Sequence, residues 1–600
     1  MDRASLLRPD RREPIQVGFR SICAVCCTDF IPRDKIKLLL DPAKEDDVLH
    51  QRYPGSVQRW APVGKYICME FRQMHAYGTH VVEAATMHAE CYDYVSKHST
   101  SEVLWLATAW RLPWVAAPTM RLESTDAVLP SRQVLKNLNL DIAKISLPEI
   151  VIAIKEYCPD SLVWKHAEFD HKLKSITACA AVFPKQSMPL EKVLSWKRGG
   201  QPSKVQTPQQ TFVRFTMDHD GIREIERMVE LPAFGSASST SCMYSVIDEK
   251  DVDFKKHGDW TLIFEAGLAR LKLPLLAPLP CIWDTAAPLS SPMLPLIKHQ
   301  SGLHTTIDLR KARGLSFVVG KHGVCGLHVH TNAEPDAPEL WASEESVLVT
   351  EYMPLPEGEE ILGFELRTPS RVASQGPLGA LFKGYLFFRL KLAGTVAVGL
   401  QRMHRVNCQA LVAPSSPSKL VVVSDPSMHF EADLARMVAI HSYPVGHQEA
   451  RPYRQYNIYP ESHALPENDS PTTYSRASLS EVVRAQVFLH GESRSCAGVL
   501  FTYKNGAQRA VGQCRIGLDR SRIYEHPKQM GLTLDMEISL GRPPGMLVMF
   551  DGRYCSHDGP LHVTDPDGSR WTQCPMSGEL ICWAEPDVSF FMPSKLRAPQ

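Results

Sequence analysis

The sequence contains no stretch approaching the roughly 18–20 unbroken apolar residues that a membrane-spanning helix needs, so a helical membrane protein is not expected. It has no excess of either charge: lysine plus arginine and aspartate plus glutamate number 66 each. A balanced chain offers no overall attraction to nucleic acid or to an acidic membrane, and neither is expected as a partner. The start, MDRASLLRPDRREP, carries four arginines and no apolar segment of the kind a secretory leader requires. Residues 1–14 read as a solvated arm. Local catalytic signatures are missing too. There is no G-x-x-x-x-G-K-[ST] phosphate loop, no G-x-G-x-x-G after a strand, no G-x-S-x-G and no H-E-x-x-H. Ser/His/Asp and Cys/His sites need no local motif, so an enzyme is disfavoured and not excluded. The sixteen cysteines form no dense framework, and many, such as Cys158 and Cys179, lie in apolar surroundings. That pattern suits reduced, buried thiols and an intracellular protein, cytoplasmic or nuclear.

What is there points to several folded domains. The chain has 600 residues, which at roughly 100–200 residues per domain suggests about three to five. The 45 prolines argue against long helices. Short β-branched or aromatic runs bounded by Gly, Pro, Asn and Asp dominate beyond residue 210, among them TFVRFTM (211–217), WTLIFEA (260–266), KLVVVSD (419–425) and GVLFTYKNG (498–506). The expected class is a multidomain α+β protein. A small Cys/His-rich and helical N-terminal part precedes a mainly antiparallel β part of sandwich or jacalin-like design. The expected order is an arm (1–14), a Cys/His-rich unit (15–100), a helical region (101–195), a linker (196–210, WKRGGQPSKVQTPQQ), a β-rich domain (211–410), a connecting region (411–475) and a C-terminal β-domain (476–600).

Two segments of the N-terminal third carry helix signals. VLWLATAWRLPWVAAPT (103–119) places Trp105, Trp110 and Trp114 at spacings of five and four, compatible with a buried helix that stops near Pro113. Core packing explains them better than a ligand box. In ISLPEIVIAIKEYC (145–158), Ser146 and Glu149 form a capping box, Pro148 occupies the first turn, and Ile145 and Ile150 close a hydrophobic staple. Leu147, Ile150, Val151 and Ile154 make an apolar stripe, widened by Ile152 and Ala153, so this helix is expected to be mostly buried.

Two constellations could carry chemistry. The first is Cys23 and Cys26 (CAVCC) with His88 and Cys91 (HAEC) downstream. Zinc prefers tetrahedral sulfur and nitrogen ligands; a C-x2-C turn supplies two thiolates and an H-x2-C step completes the shell. The gap of 61 residues would make zinc a clip between two ends of a small domain rather than its whole core. Cys27, Cys68, His75 and His80 are spare ligands, and the alternative is ordinary buried cysteines with a surface histidine. A C-x2-C redox pair is disfavoured because no thioredoxin-like βαβ pattern surrounds it. The second is HVHTNAE, giving His328, His330 and Glu334, a 2-His-1-carboxylate set that resembles half of the cupin metal motif and would suit iron or manganese. The alternative is two histidines on a solvated strand face.

CAVCCTDF (23–30), MHAECYDYV (87–95), LPEIVIAI (147–154) and LFTYKNGAQRAVGQCRIG (500–517) together resemble a group of uncharacterised filamentous-fungal proteins. Those have an N-terminal Cys/His unit, an F-box-like helix and a β-rich C-terminal region. The resemblance implies a non-enzymatic recognition protein. An F-box implies binding to the adaptor of a cullin ubiquitin ligase through Leu147, Pro148, Ile150 and Ile154, with the β-region selecting substrates. The charged HAEFDHK (166–172) departs from the F-box pattern, where an apolar return is expected. GVLFTYKNGAQRAVGQ is similar to a strand pair of jacalin-type lectin domains, which makes carbohydrate a further candidate partner.

Overall fold

The computed structural model describes residues 15–43, 48–53, 66–70, 81–115, 117–118, 120, 122, 148–158, 161–205, 212–231, 234, 241–250, 260–274, 277, 279–288, 302–320, 323–338, 349–369, 385–399, 408–412, 416–425, 436–444, 447–451, 473–491, 495–535, 545–551, 561–564, 570–584 and 589–594. Strands dominate, the sheets are mostly antiparallel, and four α-helices occur among the described residues, all before residue 181. This is the multidomain, β-rich arrangement with a Cys/His cluster near the N-terminus that the sequence leads one to expect. None of these helices is long and apolar enough to cross a membrane.

The chain separates into two compact units, one formed mainly by residues 1–290 and the other mainly by 305–425 and 429–600. The division falls inside the segment 211–410, which was expected to be a single β-domain.

The first unit begins with a mixed sheet of β1 (Ile15–Phe19), β2 (Lys35–Leu40), β3 (Val48–Arg52), β4 (Tyr66–Glu70) and β5 (Val81–His88) in the order β3-β2-β5-β1-β4. β1 runs parallel to β4 and β5, while β2 is antiparallel to β3 and β5. The central β5 buries Ala84, Ala85, Thr86 and Met87 in succession, as a strand covered on both faces does. Helix α1 (Ala89–Val95) follows β5 without a loop, and α2 (Ser101–Ala109) starts at Thr100, whose side chain accepts the Val103 N–H. α2 buries Trp105 and stops at Ala109, four residues before Pro113, with Trp110 capping it. Trp105 and Trp110 enter the core of the N-terminal sheet, but Trp114 enters a second core with Phe215 and Trp260. The three tryptophans therefore do not lie along one helix.

Helix α3 (Pro148–Tyr157) starts at the expected proline, but it is not mostly buried: Ile152, Ile154 and Tyr157 are exposed. Leu147 and Ser146 lie outside the described residues. Helix α4 (Leu162–Ala180) is 19 residues long, against the expectation from proline content. No proline falls within it, and His166, Phe169, Leu173 and Ile176, at spacings of three, four and three, are all buried on one side. Within 166–172, Glu168 and Asp170 are half-buried, whereas the Lys172 side chain is only 10% exposed and pairs with Asp220 at 2.8 Å. The Trp164 indole N–H donates to the Cys158 carbonyl at 2.8 Å and Lys155 pairs with Glu168 at 3.1 Å, joining α3 to α4.

The segment 196–205 is not an interdomain linker. Val193–Lys197 and Ser203–Lys204 form a hairpin, and Trp196 is buried with Phe264 against its ring. The glycines of RGGQ serve a turn in which Gly199 has φ +75°. The hairpin edges a sheet in which Val193–Lys197, Gly221–Met228, Phe212–Asp218, Met243–Asp248 and Ile282–Trp283 pair in that order. Phe212–Asp218, read as a strand from the sequence, alternates strictly, with Val213, Phe215 and Met217 inward.

In the second unit, the expected connecting region 411–475 contributes paired strands: Cys408–Val412 beside Ile361–Pro369 and His447–Arg451, and Lys419–Asp425 beside Arg436–Tyr443. The last part of that region, 452–472, lies outside the described residues. Residues 473–594 form three antiparallel sheets, of three, four and four strands, around one core that includes Val487, Phe501, Val511, Phe550 and Leu580. Within it, Cys496–Tyr503 and Gln508–Gly512 are the two arms of a hairpin. Its turn is set by Asn505, whose side chain accepts the Ala507 N–H, and by Gly506 at φ +84°. Thirteen cysteines among the described residues are free thiols. Cys158 is exposed and Cys179 half-buried, because each sits near the C-terminal end of its helix rather than on the inner stripe.

Candidate metal centre

Cys23 and Cys26 lie on a knuckle after β1. The Ile22–Asp29 bridge and the Phe30 N–H to Ser21 carbonyl bond (2.9 Å) close its base. Its tip is a turn in which the Cys27 N–H returns to the Cys23 carbonyl at 2.9 Å, with Cys27 itself in the left-handed region at φ +59°. The Ala24 N–H donates to the Thr86 carbonyl at 2.8 Å, fixing the tip against β5. Arg111 holds it from behind, donating through Nη1 to the Ala24 carbonyl (3.0 Å) and the Cys27 sulfur (2.8 Å).

His88 ends β5 and is the N-cap of α1; Cys91 is in the first turn. Residues three apart at a helix start share one side of the turn, so strand and helix together aim the imidazole and the thiol at one point. The sulfurs of Cys23, Cys26 and Cys91 and a ring nitrogen of His88 all lie within 4.8 Å of one another, and the cysteines are buried. Cys26 Sγ is 3.4 Å from His88 Nδ1. Tetrahedral zinc, with Zn–S near 2.3 Å and Zn–N near 2.0–2.1 Å, places sulfur and nitrogen about 3.6 Å apart. The four residues named from the sequence are thus brought together, and the group can hold a metal ion. Of the spare candidates, Cys27 faces Arg111, Cys68 lies in β4 with burial pushing its thiol up to about 11, and His75 and His80 lie outside the described residues.

The electrostatics show what the set lacks without a cation. Hydrogen bonds from Cys23 and Cys91 hold the Cys26 thiol far below the usual range despite burial. Hydrogen bonds with Cys23 and Cys26, together with burial, push Cys91 far above it. Burial disfavours a charged His88 ring, but the Cys23 and Cys26 sulfurs outweigh it and raise the imidazole to about 10. The surroundings thus favour ionisation of Cys26 and oppose that of Cys91. A divalent cation removes that obstacle and competes with the protons.

Each ligand also has an outer partner. The His88 N–H donates to Cys23 Sγ at 3.4 Å, the Thr28 hydroxyl lies 3.0 Å from Cys26 Sγ, and His166 Nε2 lies 3.5 Å from Cys91 Sγ. His88 Nε2 is 3.4 Å from Asp34 Oδ2, which leaves Nδ1 as the ligand atom. The sequence reading missed Thr28, Asp34 and His166. Thr28 was visible in CAVCCTDF, two residues after Cys26. His166 could have been found only by recognising α4 as a long helix.

The HVHTNAE residues do not converge in this way. His330 is buried rather than solvated, and its Nδ1 donates to the Pro335 carbonyl at 2.6 Å. Its Nε2 then accepts from the Ser316 hydroxyl at 2.7 Å, which uses the lone pair a metal would need. Glu334 closes a turn on Thr331, whose hydroxyl accepts the Glu334 N–H at 3.0 Å. Among the described residues, the Cys23–Cys26–His88–Cys91 group is the one set of three or more such side chains placed to share an ion.

No protein-family model matches the chain, and no curated protein matches it.

Proposed function

We propose that this is a non-enzymatic interaction protein whose N-terminal module is closed by a structural zinc ion on Cys23, Cys26, His88 and Cys91. The observation that carries the reading is the convergence of three sulfurs and one imidazole nitrogen within 4.8 Å. A three-cysteine, one-histidine set fills all four tetrahedral positions with protein ligands, and such closed sites are structural, whereas catalytic zinc keeps a position open. Soft thiolates also select zinc over magnesium, calcium or manganese. Zinc would supply the positive charge that lets all three thiols ionise. The residues do the rest: the knuckle is pinned to β5 through Ala24, and the β5–α1 elbow is set by His88.

Helix α3 favours a protein partner. Ile152, Ile154 and Tyr157 are exposed on a helix that α4 anchors through Trp164. Exposed large apolar side chains on one short helix suit docking into an apolar groove. The cullin-ligase adaptor is the partner this reading names, with Pro148, Ile150 and Ile154 on the same helix.

Two measurements test the proposal. Elemental analysis of the full chain should give one zinc per molecule, and cobalt substitution should give tetrahedral thiolate bands; a chain purified without metal and unable to take up cobalt refutes the metal reading. Affinity capture with purified adaptor should succeed for the wild type and fail for Ile152→Asp/Ile154→Asp. Equal capture by both, or by neither, refutes the adaptor reading.

A further inference from the structure

We infer that His166 is a positioning residue of the metal centre, through which helix α4 becomes part of that centre and loosens at its N-terminal half when the ion leaves. The inference rests on the zinc reading above.

Thr28, Asp34 and the His88 backbone lie on the knuckle, on the segment that follows it, or on β5 itself. His166 alone comes from a distant element, 75 residues after Cys91. A metal-bound thiolate carries no proton, so the 3.5 Å contact can only be Nε2–H donating to Cys91 Sγ. A neutral imidazole then has its lone pair on Nδ1, and that buried atom has no hydrogen-bond partner among the described residues. The ring is 7% exposed and lies flat on Tyr94, with centroids 4.6 Å apart and planes 15° from parallel. A buried histidine with one unsatisfied nitrogen packs worse than a leucine of similar size. A hydrogen bond to a metal-bound thiolate is charge-assisted and offsets that cost, and the bound ion is what keeps the Cys91 sulfur in that state. The seating of α4 at His166 is thereby tied to the ion. Because Trp164 holds the Cys158 carbonyl at 2.8 Å, α3 is tied to it as well.

The experiment uses the full chain loaded with cobalt, comparing wild type, His166→Phe and His166→Gln. Phenylalanine keeps the flat ring over Tyr94 and removes the N–H; glutamine restores an N–H near the Nε2 position. In His166→Phe the sulfur-to-cobalt charge-transfer band should move to longer wavelength, because an unbonded thiolate holds its electrons less tightly. Cobalt affinity should fall about 10–100-fold, the usual cost of losing an outer-shell partner. His166→Gln should recover both. In the wild type, chelation should speed amide exchange over residues 162–170 beyond the change over 171–180. An unshifted band and unchanged affinity in His166→Phe overturn the inference. So does equal exchange of the two halves of α4 before and after chelation, a result that stands even where the phenylalanine variant folds poorly. Failure of the zinc reading is separate and shows as a wild type without tetrahedral cobalt bands.

Discussion

Replacing Cys26 by serine removes one of three sulfurs from a site in which that sulfur lies 3.4 Å from His88 Nδ1 and 3.0 Å from Thr28 Oγ1. The backbone needs no adjustment, because the knuckle is closed by main-chain bonds at Ser21, Cys23 and Ala24 that do not involve the side chain. The loss is therefore one metal–ligand bond. Structural zinc contributes about 10–16 kcal/mol through four ligands, so one bond represents roughly 2.5–4 kcal/mol, or roughly 70–900-fold in affinity. Titration against a chromogenic chelator reads this directly. The control is Cys68→Ser, which alters a buried thiol in β4 outside the cluster and should leave zinc content at wild-type level. If Cys26→Ser holds zinc as tightly as the wild type, or if Cys68→Ser loses it equally, the four-ligand geometry is wrong.

Other outcomes follow from the cores and buried charges. Glu83 and Arg270 form a two-point ion pair at 2.6 and 2.7 Å with side chains 10% and 8% exposed. Glu83→Gln should destabilise the first unit by about 3–5 kcal/mol in denaturant unfolding, and Glu83→Gln/Arg270→Met should recover most of it; a double variant worse than the single refutes the assignment. Phe215→Ala should cost about 3–5 kcal/mol in the same assay, since the ring is fully buried, and a loss under about 1 kcal/mol would place it outside the core. In the second unit, burial pushes the Glu351 carboxyl up to about 8, against weaker opposing hydrogen bonds from Gly399 and Thr473. The folded chain then keeps a proton that the unfolded chain releases above about pH 4.5, so stability should fall between about pH 4.5 and 8 and level off beyond. Glu351→Gln should flatten that slope, and an unaltered slope in thermal unfolding refutes the role of this carboxyl.

The strands of the β-rich part were legible because their pattern is local. Phe212–Asp218 alternates inward and outward, and Asn505-Gly506 turns one strand back on the next. Domain boundaries were less legible because proline, glycine and glutamine mark a hairpin turn as well as they mark a linker. RGGQ at 198–201 is such a turn, and only the burial of Trp196 distinguishes the two cases. The N-terminal sheet was missed for a different reason. Its strands pair β1 with β4 and β5 in parallel, across intervening residues, and parallel pairing leaves no turn signature in the sequence.

The four residues of the cluster were legible because each half-motif is a local geometry: a knuckle tip for Cys23 and Cys26, a helix start for His88 and Cys91. That the halves meet is a tertiary fact, set by the Ala24–Thr86 bond that brings the knuckle onto β5 just before the strand ends at His88. The outer partners behave in the opposite way. Asp34 and His166 have no local motif, since a carboxylate on a loop and a histidine on a helix satisfy many other roles. What marks them is consequence. Asp34 sits beside the nitrogen that the ligand does not use, and His166 accepts an unpaired Nδ1 in order to face a sulfur. A buried polar group left half-satisfied points to the interaction that compensates for it, and here that is the contact of His166 Nε2 with Cys91 Sγ.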